Sequence, residues 1–332
     1  MFSRLLYAFR SGKNNKFLYY ARAYCRKYLV PDVWCRSRRN EELAQIGARP
    51  DRDYIMDRVN YYCRIAAGDF KGGEPWRGEL YPVSECPKCN KVYYFDSLEY
   101  VRYFPKRLLW HLLPGDITHV PAVPSIVKSR PLAGDVRMSV LFKMDKVRHF
   151  IFESDRKPFA EKQDRVVFRG KIGGRNNRKA RRYEFMTKFW GNPLFDLGEI
   201  RGRDYNPEWE TEKMTISQHL DYKFIMALEG NDVASNLKWV MSSNSLAVMP
   251  PPTCESWFME GRLIPDYHYV AVKPDYSDVE ERVAYYIANP DKAQTIIDHA
   301  HEWVAQFRDR RREHLILLAV MDRYLRAVNG DF

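Results

Sequence analysis

The 332-residue chain lacks long apolar runs: the longest, such as Leu315 to Val320, falls well short of the ~18 residues that cross a bilayer. No transmembrane helix is expected. Cysteine is scarce, with six in all, which is no disulfide scaffold at this length. The start Met1-Phe2-Ser3-Arg4 opens no continuous apolar core ending at a small-residue cleavage site. The chain therefore reads as a cytoplasmic protein of a reducing compartment. None of the eight histidines forms H-E-x-x-H, and neither G-x-S-x-G nor a P-loop occurs, which weakens zinc-protease, serine-hydrolase and P-loop readings. Asp51-Arg52-Asp53 has the spacing of a metal-binding carboxylate pair, yet it follows Pro50 and opens a helix, where acids serve as caps. Cys86-Pro87-Lys88-Cys89 is half of a zinc ribbon, and the missing ligands would have to come from Cys63, Cys35 or Cys25, none in a second C-x-x-C pair. No metal is expected. Internal repeats and low-complexity tracts are also absent.

What remains is 45% hydrophobic, 29% charged and 14% aromatic, a composition that buries a sizeable core in one or two domains. The net charge of +11 is concentrated: residues 1–40 carry ten basic side chains against Asp32, a local +9 that leaves +2 for the rest. Phe2, Leu5, Leu6, Tyr7, Phe9, Phe17, Leu18, Tyr19, Tyr20 and Tyr24 interleave with those cations. Such a stretch suits an anionic membrane surface, where each cation adds about 1 kcal/mol, and it also suits nucleic acid. A helix packed on the body with a solvated basic face is the plain alternative.

Periodicity predicts a helix over about Arg52 to Ala67 and a Gly/Pro-rich loop over Gly68 to Pro87. Short strands are expected around Lys91 to Phe95, Ser125 to Lys128 and Val140 to Lys143. The pattern sharpens from Arg165: strand at Val166-Val167-Phe168, helix over Asn177 to Phe189, and a buried run over Lys223 to Leu228. A helix over Val233 to Ser243 and strands at Leu246 to Met249 and Tyr269 to Val272 follow. Ser277-Asp278-Val279-Glu280 has the form of a capping box, and helices run on to about Val328 with a break at Asn289-Pro290. Strands alternating with helices imply an α/β fold with parallel βαβ units. The composition changes near Asp155 to Arg165, where a domain boundary is expected. The expected divisions are a basic aromatic segment over 1–40, an α/β domain over 41–160, a second over 161–290 and C-terminal helices over 291–332.

Three stretches can carry chemistry. Lys223 to Trp239 reads as a strand, a tight turn at Gly230 and a helix whose first turns hold Ser235, Asn236 and Lys238. Backbone N–H groups at such a helix start attract phosphate, although an ordinary βα connection looks the same. Residues 165–183 hold Arg165, Arg169, Lys171, Arg175, Arg178, Lys179, Arg181 and Arg182 and no acid. Arg169, beside Gly170 at a strand end, and Arg175, after Gly173-Gly174, are the better phosphate forks, whereas Arg178 to Arg182 can be a solvated helix face. The third stretch, Gly115 to Pro131, brings Asp116, His119, Lys128 and Arg130 into a loop kept extended by Pro121, Pro124 and Pro131. Asp116 as a mere turn cap and His119 as core filling are the plain readings.

The order Phe168-Arg169-Gly170, Asp221-Tyr222-Lys223-Phe224, Glu229-Gly230 with Ser235 and Lys238, Glu255-Ser256-Trp257-Phe258, His268-Tyr269 and Lys273-Pro274-Asp275-Tyr276-Ser277-Asp278 resembles glycosyltransferase family 90. The resemblance covers residues 165–310 well and the first 110 poorly. The Gly115 to Pro131 stretch is most similar to the bacterial lipopolysaccharide branch, and the chain lacks the signal peptide and retention tetrapeptide of secretory-pathway members.

The resemblance implies a GT-B architecture, two Rossmann-like domains facing across a cleft, and inverting, metal-independent transfer of a hexose from a UDP-sugar with no further cofactor. It implies a lipopolysaccharide core or similar glycan as acceptor, at the inner face of the cytoplasmic membrane. It assigns Arg169, Gly170, Arg175, Gly230, Ser235, Asn236, Lys238 and Glu255 to the donor. The family's base precedes a Tyr-Pro; here Val120-Pro121 stands in that place, with His119 before it, and Asp116 is the first choice as base because a carboxylate suits the reaction. Transfer to a protein hydroxyl is disfavoured by the missing secretory signals, and a non-enzymatic nucleic-acid-binding protein is the alternative from another class; no nucleic-acid partner is expected.

Overall fold

The computed structural model describes residues 12–66, 68–70, 73–87, 89, 91–172, 180–200 and 206–332. In chain order the longer helices are α1 (Lys16–Leu29), α2 (Asp32–Ala44), α3 (Arg52–Tyr62), α4 (Lys91–Val101), α5 (Ala180–Phe189), α6 (Val279–Ala288), α7 (Pro290–Ala305) and α8 (Arg310–Asn329). The strands are β1 (Tyr81–Pro82), β2 (Leu109–Trp110), β3 (Ser125–Val127), β4 (Ser129–Pro131), β5 (Ser139–Leu141), β6 (Gln163–Gly170), β7 (Phe195–Glu199), β8 (Tyr222–Met226), β9 (Leu246–Met249), β10 (Cys254–Ser256) and β11 (Val270–Ala271). The result is a mixed α/β protein of two compact units. Arg148–Thr253 and Glu260–Gln306 make up most of one, and Asn15–Val147, Cys254–Met259 and Phe307–Phe332 form the other.

The unit that begins at Arg148 is built on one parallel sheet of order β11-β9-β8-β6-β7. Its inner strands are apolar without alternation, Val166-Val167-Phe168, Phe224-Ile225-Met226 and Leu246 to Met249 all being buried, as a sheet covered on both faces requires. After β6 the chain adds β7 on one side and then crosses to lay β8 on the other. The first and third strands are therefore neighbours at a topological switch point. The core on one face is largely aromatic: Phe189 stacks on Phe195 at 4.4 Å, and Phe185 meets Tyr276 edge-on at 5.2 Å. Each such side chain contributes about 1.5–3 kcal/mol by leaving water.

The unit that begins at Asn15 is mainly helical. Its described residues hold three two-stranded ladders, β1 with β2 and β4 with β10 antiparallel and β3 with β5 parallel. Helix α8 opens with the Asp309 carboxylate accepting the Arg312 N–H at 2.9 Å, ends at Gly330 with φ 79°, and packs along α3. The α3–α8 seam encloses a buried charge cluster. Glu313 forms an ion pair with Arg58 at 2.6 Å and accepts from Lys143 at 2.7 Å and the Trp257 indole at 2.8 Å. Burial opposes ionisation of Glu313, but Lys143 and Arg58 outweigh it and hold the carboxyl below its ordinary range.

Many of the elements read from periodicity are present; the short strand β1 falls inside the stretch expected as a loop, β2, β4, β7 and β10 were not expected, and four further readings differ. Lys91 to Phe95 belongs to helix α4, not a strand: Val92, Tyr93, Phe95, Asp96, Tyr100 and Val101 are buried at helical spacing, and that packing overrides the strand preference of Val-Tyr-Tyr-Phe. Helix α3 stops at Tyr62, where the Cys63 N–H closes on the Val59 carbonyl, instead of running to Ala67. The Ser277 capping box does not form. The helix starts at Val279 with Asp278 as its flanking residue, one position later than the box requires, and the Asp275 carboxylate accepts the Ser277 N–H that Glu280 would have taken. The helix expected over Val233 to Ser243 is a single turn, Leu237–Val240, preceded by a bend in which the Gly230 N–H bonds the Asp232 carbonyl.

Candidate active site

In an open parallel sheet the crevice outside the carboxyl ends of the strands, at the switch point, is where loops diverge and a ligand can enter. Here that place lies between the loop that leaves β6 at Gly170 and the loop Ala227 to Asp232 that leaves β8. Arg182, on the first turn of α5, joins the two. Its Nε donates to the Glu229 carbonyl at 2.9 Å, Nη2 to the Leu228 carbonyl at 2.7 Å and Nη1 to the Lys171 carbonyl at 3.1 Å. Burial pulls the Arg182 pKa down to about 10, so the guanidinium stays charged at neutral pH. A Cβ on Gly230 would lie 3.0 Å from Arg182 Nη2, which explains a glycine at that close approach.

The same rim is tied elsewhere. The Glu199 carboxylate, at the end of β7, accepts the Ile172 N–H at 3.1 Å. Glu229 accepts the Thr253 N–H at 2.8 Å and its hydroxyl at 2.5 Å, and Arg181 approaches it at 3.7 Å, so the loop after β8 is fastened to the loop after β9. Sequence reasoning passed over Arg182 by counting it with the solvated face of its helix. Its position on the first turn after a glycine loop was the available signal.

Each residue singled out in the sequence has a definite place. Arg169 lies along the sheet: Nη1 donates to the Asp196 carbonyl at 2.8 Å and the Phe168 carbonyl at 3.1 Å, and Nη2 pairs with the Asp196 carboxylate, which also accepts the Tyr222 hydroxyl. Burial would raise the Asp196 pKa, but bonds from Tyr222 and Arg169 prevail and lower it. Gly170 ends β6, and Arg175 lies outside the described residues. Gly230 is at the bend. Ser235 is exposed, and the Asn236 amide donates to the Met226 carbonyl at 2.9 Å, closing the loop on its strand. Lys238 is fully buried, its ammonium 2.7 Å from the Glu260 carboxylate, itself 1% exposed.

Asp116, His119 and Glu255 belong to the other unit. Asp116 is half-buried and forms an ion pair with the buried Lys128. The next residue, Ile117, is held by the Ser129 hydroxyl, which accepts its N–H at 3.1 Å and donates to its carbonyl at 3.0 Å. His119 is exposed. Glu255 faces Arg130 across the β4–β10 ladder and accepts from its Nε at 2.7 Å, and the Tyr61 hydroxyl donates to the same carboxylate. Arg130 Nη2 donates to the Tyr61 carbonyl at 2.8 Å. Beside them Tyr62 stacks on Trp257 at 3.8 Å, and Arg58 bonds its hydroxyl at 2.7 Å. The Glu255-Ser256-Trp257-Phe258 segment is thus locked by a salt bridge and an aromatic stack. Among the described residues no three His, Cys, Asp or Glu side chains gather as a metal site, so Cys86 and Cys89 gain no further ligands there.

An open parallel sheet with a switch point between its first and third strands is a framework that many ligand-binding α/β enzymes share. Residues 139–314 match the family described as Glycosyl transferase family 90. The chain is also 37% identical over 298 residues, 89% of its own length and 91% of the other's, to a Dichelobacter nodosus protein named O-glucosyltransferase LpsA. The chain belongs to glycosyltransferase family 90 and is a glycosyltransferase.

Proposed function

We propose that the chain is an inverting, metal-independent glycosyltransferase of GT-B architecture, moving a hexose from a UDP-sugar to a hydroxyl of a lipopolysaccharide core or similar glycan. In this reading it works peripherally at the cytoplasmic face of an anionic membrane. The observation that carries the donor side is the switch point between β6 and β8, where Arg182 ties the Lys171 and Leu228-Glu229 loops to each other. The name of the Dichelobacter nodosus relative supports a glucosyl or similar hexosyl group.

In the transfer the acceptor oxygen attacks the anomeric carbon from the face opposite the diphosphate. The C–O bond to the diphosphate breaks as the new glycosidic bond forms, and the acceptor proton passes to a base. The departing UDP carries the negative charge away from the sugar, and the Ser235 hydroxyl, the backbone at Gly170 and Gly230 and the Arg175 guanidinium stabilise it in this reading, with Asn236 closing its loop. Arg169 and Lys238 serve indirectly, through their pairs with Asp196 and Glu260, and Glu255 holds its own segment against Arg130. Asp116 is the base in this reading, Lys128 fixing its carboxylate, and His119 is second in line.

The test is a panel of UDP and UDP-sugars, with UDP-glucose, UDP-galactose and UDP-xylose among them, assayed for thermal stabilisation and then for transfer. A ligand that binds the native state alone raises its melting temperature. The expected outcome is stabilisation by UDP and one preferred UDP-hexose, unchanged in EDTA. Affinity lost in EDTA and restored by manganese overturns metal independence, and stabilisation by nucleic acid but by no nucleotide sugar overturns the donor reading.

A further inference from the structure

Helix α1 contains Lys16, Arg22, Arg26 and Lys27 and no acid. Its inner side is anchored on α4. The Tyr19 hydroxyl donates to Asp96 at 2.8 Å, Ala23 is buried, Tyr24 meets Phe95 edge-on at 4.8 Å, and Arg26 pairs with Glu99. The corner into α2 is held as firmly: Arg102 donates to the Arg26 carbonyl at 2.6 Å, to the Val30 carbonyl and to Asp32 at 2.7 Å. The outer side is therefore a fixed surface.

That surface is apolar. Phe17 and Tyr28 lie at i and i+11 on one face of the helix, with Tyr24, 38% exposed, at its edge toward α4. Leu18 and Leu29 lie next to them, and Val33 and Trp34 continue the patch past the corner. Phe17 is 78% exposed, Leu29 75%, Tyr28 71% and Val33 63%. Cations sit on its rings: Lys27 lies 5.2 Å from the Tyr28 ring and Arg38 lies 4.7 Å from the Trp34 ring.

We propose that the outer face of α1 and its corner with α2, from Phe17 to Trp34, is a docking surface that seats the protein on an anionic bilayer. Tyr28, Leu29, Val33 and Trp34 enter the headgroup boundary, and Lys16, Arg22, Lys27 and Arg38 meet the lipid phosphates. A contiguous exposed apolar patch marks an interaction site. Helix α1 carries cations and no acid, which selects a negatively charged partner, while Arg38 past the corner also pairs with Glu42 at 3.5 Å. Tyrosine and tryptophan beside cations are the side chains that favour the membrane interface. This deepens the functional reading above by locating the membrane contact, and rests on it only for the idea that the acceptor is lipid-borne.

The experiment uses the full chain with vesicles of phosphatidylcholine alone or mixed with phosphatidylglycerol. The expected result is sedimentation with the anionic vesicles only, weakening with salt, and at least a tenfold loss in the variant Tyr28→Ser, Leu29→Ser, Val33→Ser. These three side chains are exposed, so the variant keeps its fold and its stabilisation by UDP. A second variant, Arg22→Gln with Lys27→Gln, loses the preference for anionic vesicles. Binding equal on the two vesicle types, or unchanged in the triple variant, overturns the proposal. So does a concentration-dependent dimer that the triple variant abolishes, which would assign the face to a second copy of this chain. Failure of UDP to stabilise any of these proteins would count against the donor reading alone.

Discussion

Lys238 shows how one residue can be read in two ways. A lysine shortly after a glycine loop looks like a phosphate ligand, but here its ammonium lies in the interior on Glu260. Removing one member of a buried ion pair strands the other charge, at a cost of about 3–5 kcal/mol. Lys238→Met should therefore lower stability by that order in urea denaturation. Adding Glu260→Gln should restore part of it. Stability unchanged, with UDP affinity reduced, would show that the lysine leaves Glu260 to serve the donor. Asp116 poses the opposite case, a half-buried carboxylate held by Lys128 in a proline-bordered loop. Asp116→Asn should retain UDP binding and lower transfer by roughly 10²- to 10⁴-fold, the contribution of a general base. His119→Ala should cost less. The reverse ranking in transfer assays would move the role to the histidine.

Loops and short elements decide more of the site than the long helices do. The turn Leu237–Val240 is too short to present a helix dipole, so the rim around Gly230 depends on side chains that hold the backbone: Arg182 on Leu228 and Glu229, Asn236 on Met226, Glu229 on Thr253. Arg182→Met leaves three carbonyls without their donor and frees two loops from each other. UDP affinity should fall at least tenfold in calorimetric titration, with a drop of about 1–3 kcal/mol in stability. Equal affinity in the variant would show that the crevice is not where the nucleotide sits. The strands β6, β8 and β9 were legible because uninterrupted apolar runs bounded by turn residues have few other solutions. Helix α4 was not, because Val-Tyr-Tyr-Phe satisfies a strand or a helix equally and only its buried partners choose. The Ser277 box failed for a related reason: Asp275 stood close enough to claim the Ser277 N–H.

At the scale of the whole molecule the buried titratable groups set a pH response. Burial lowers both His219 and His268 to about 4, so each is neutral in the fold. The unfolded chain protonates both near the ordinary histidine value of about 6.5. Between about 6.5 and 4 the unfolded state thus binds more protons, and stability falls as pH falls through that window, by roughly 3 kcal/mol for each histidine. Asp96 works the other way. Burial raises it to about 6, so its destabilising effect fades as pH drops from about 6 towards 4. The two histidines outweigh the one acid, and the melting temperature should decline from pH 6.5 to 4.5. In His268→Asn, whose amide oxygen can still accept the Ile264 N–H that Nδ1 accepts at 2.9 Å, the decline should be shallower. A flat profile in the native protein would contradict this accounting.

The sequence by itself determined the α/β character, the parallel strands after Arg165, the concentration of charge in the first forty residues and the family. These rest on local periodicity, composition and the order of short motifs, which survive without knowledge of any contact. Tertiary structure alone decided which cations are committed. Arg169 goes to Asp196, Lys238 to Glu260, Lys128 to Asp116 and Arg130 to Glu255, while Arg182 stays at the switch point. The physical reason is that an ionic side chain is placed by partners distant in sequence, 125 residues away for Arg130 and Glu255, and the cost of burying a charge unpaired makes that choice binding.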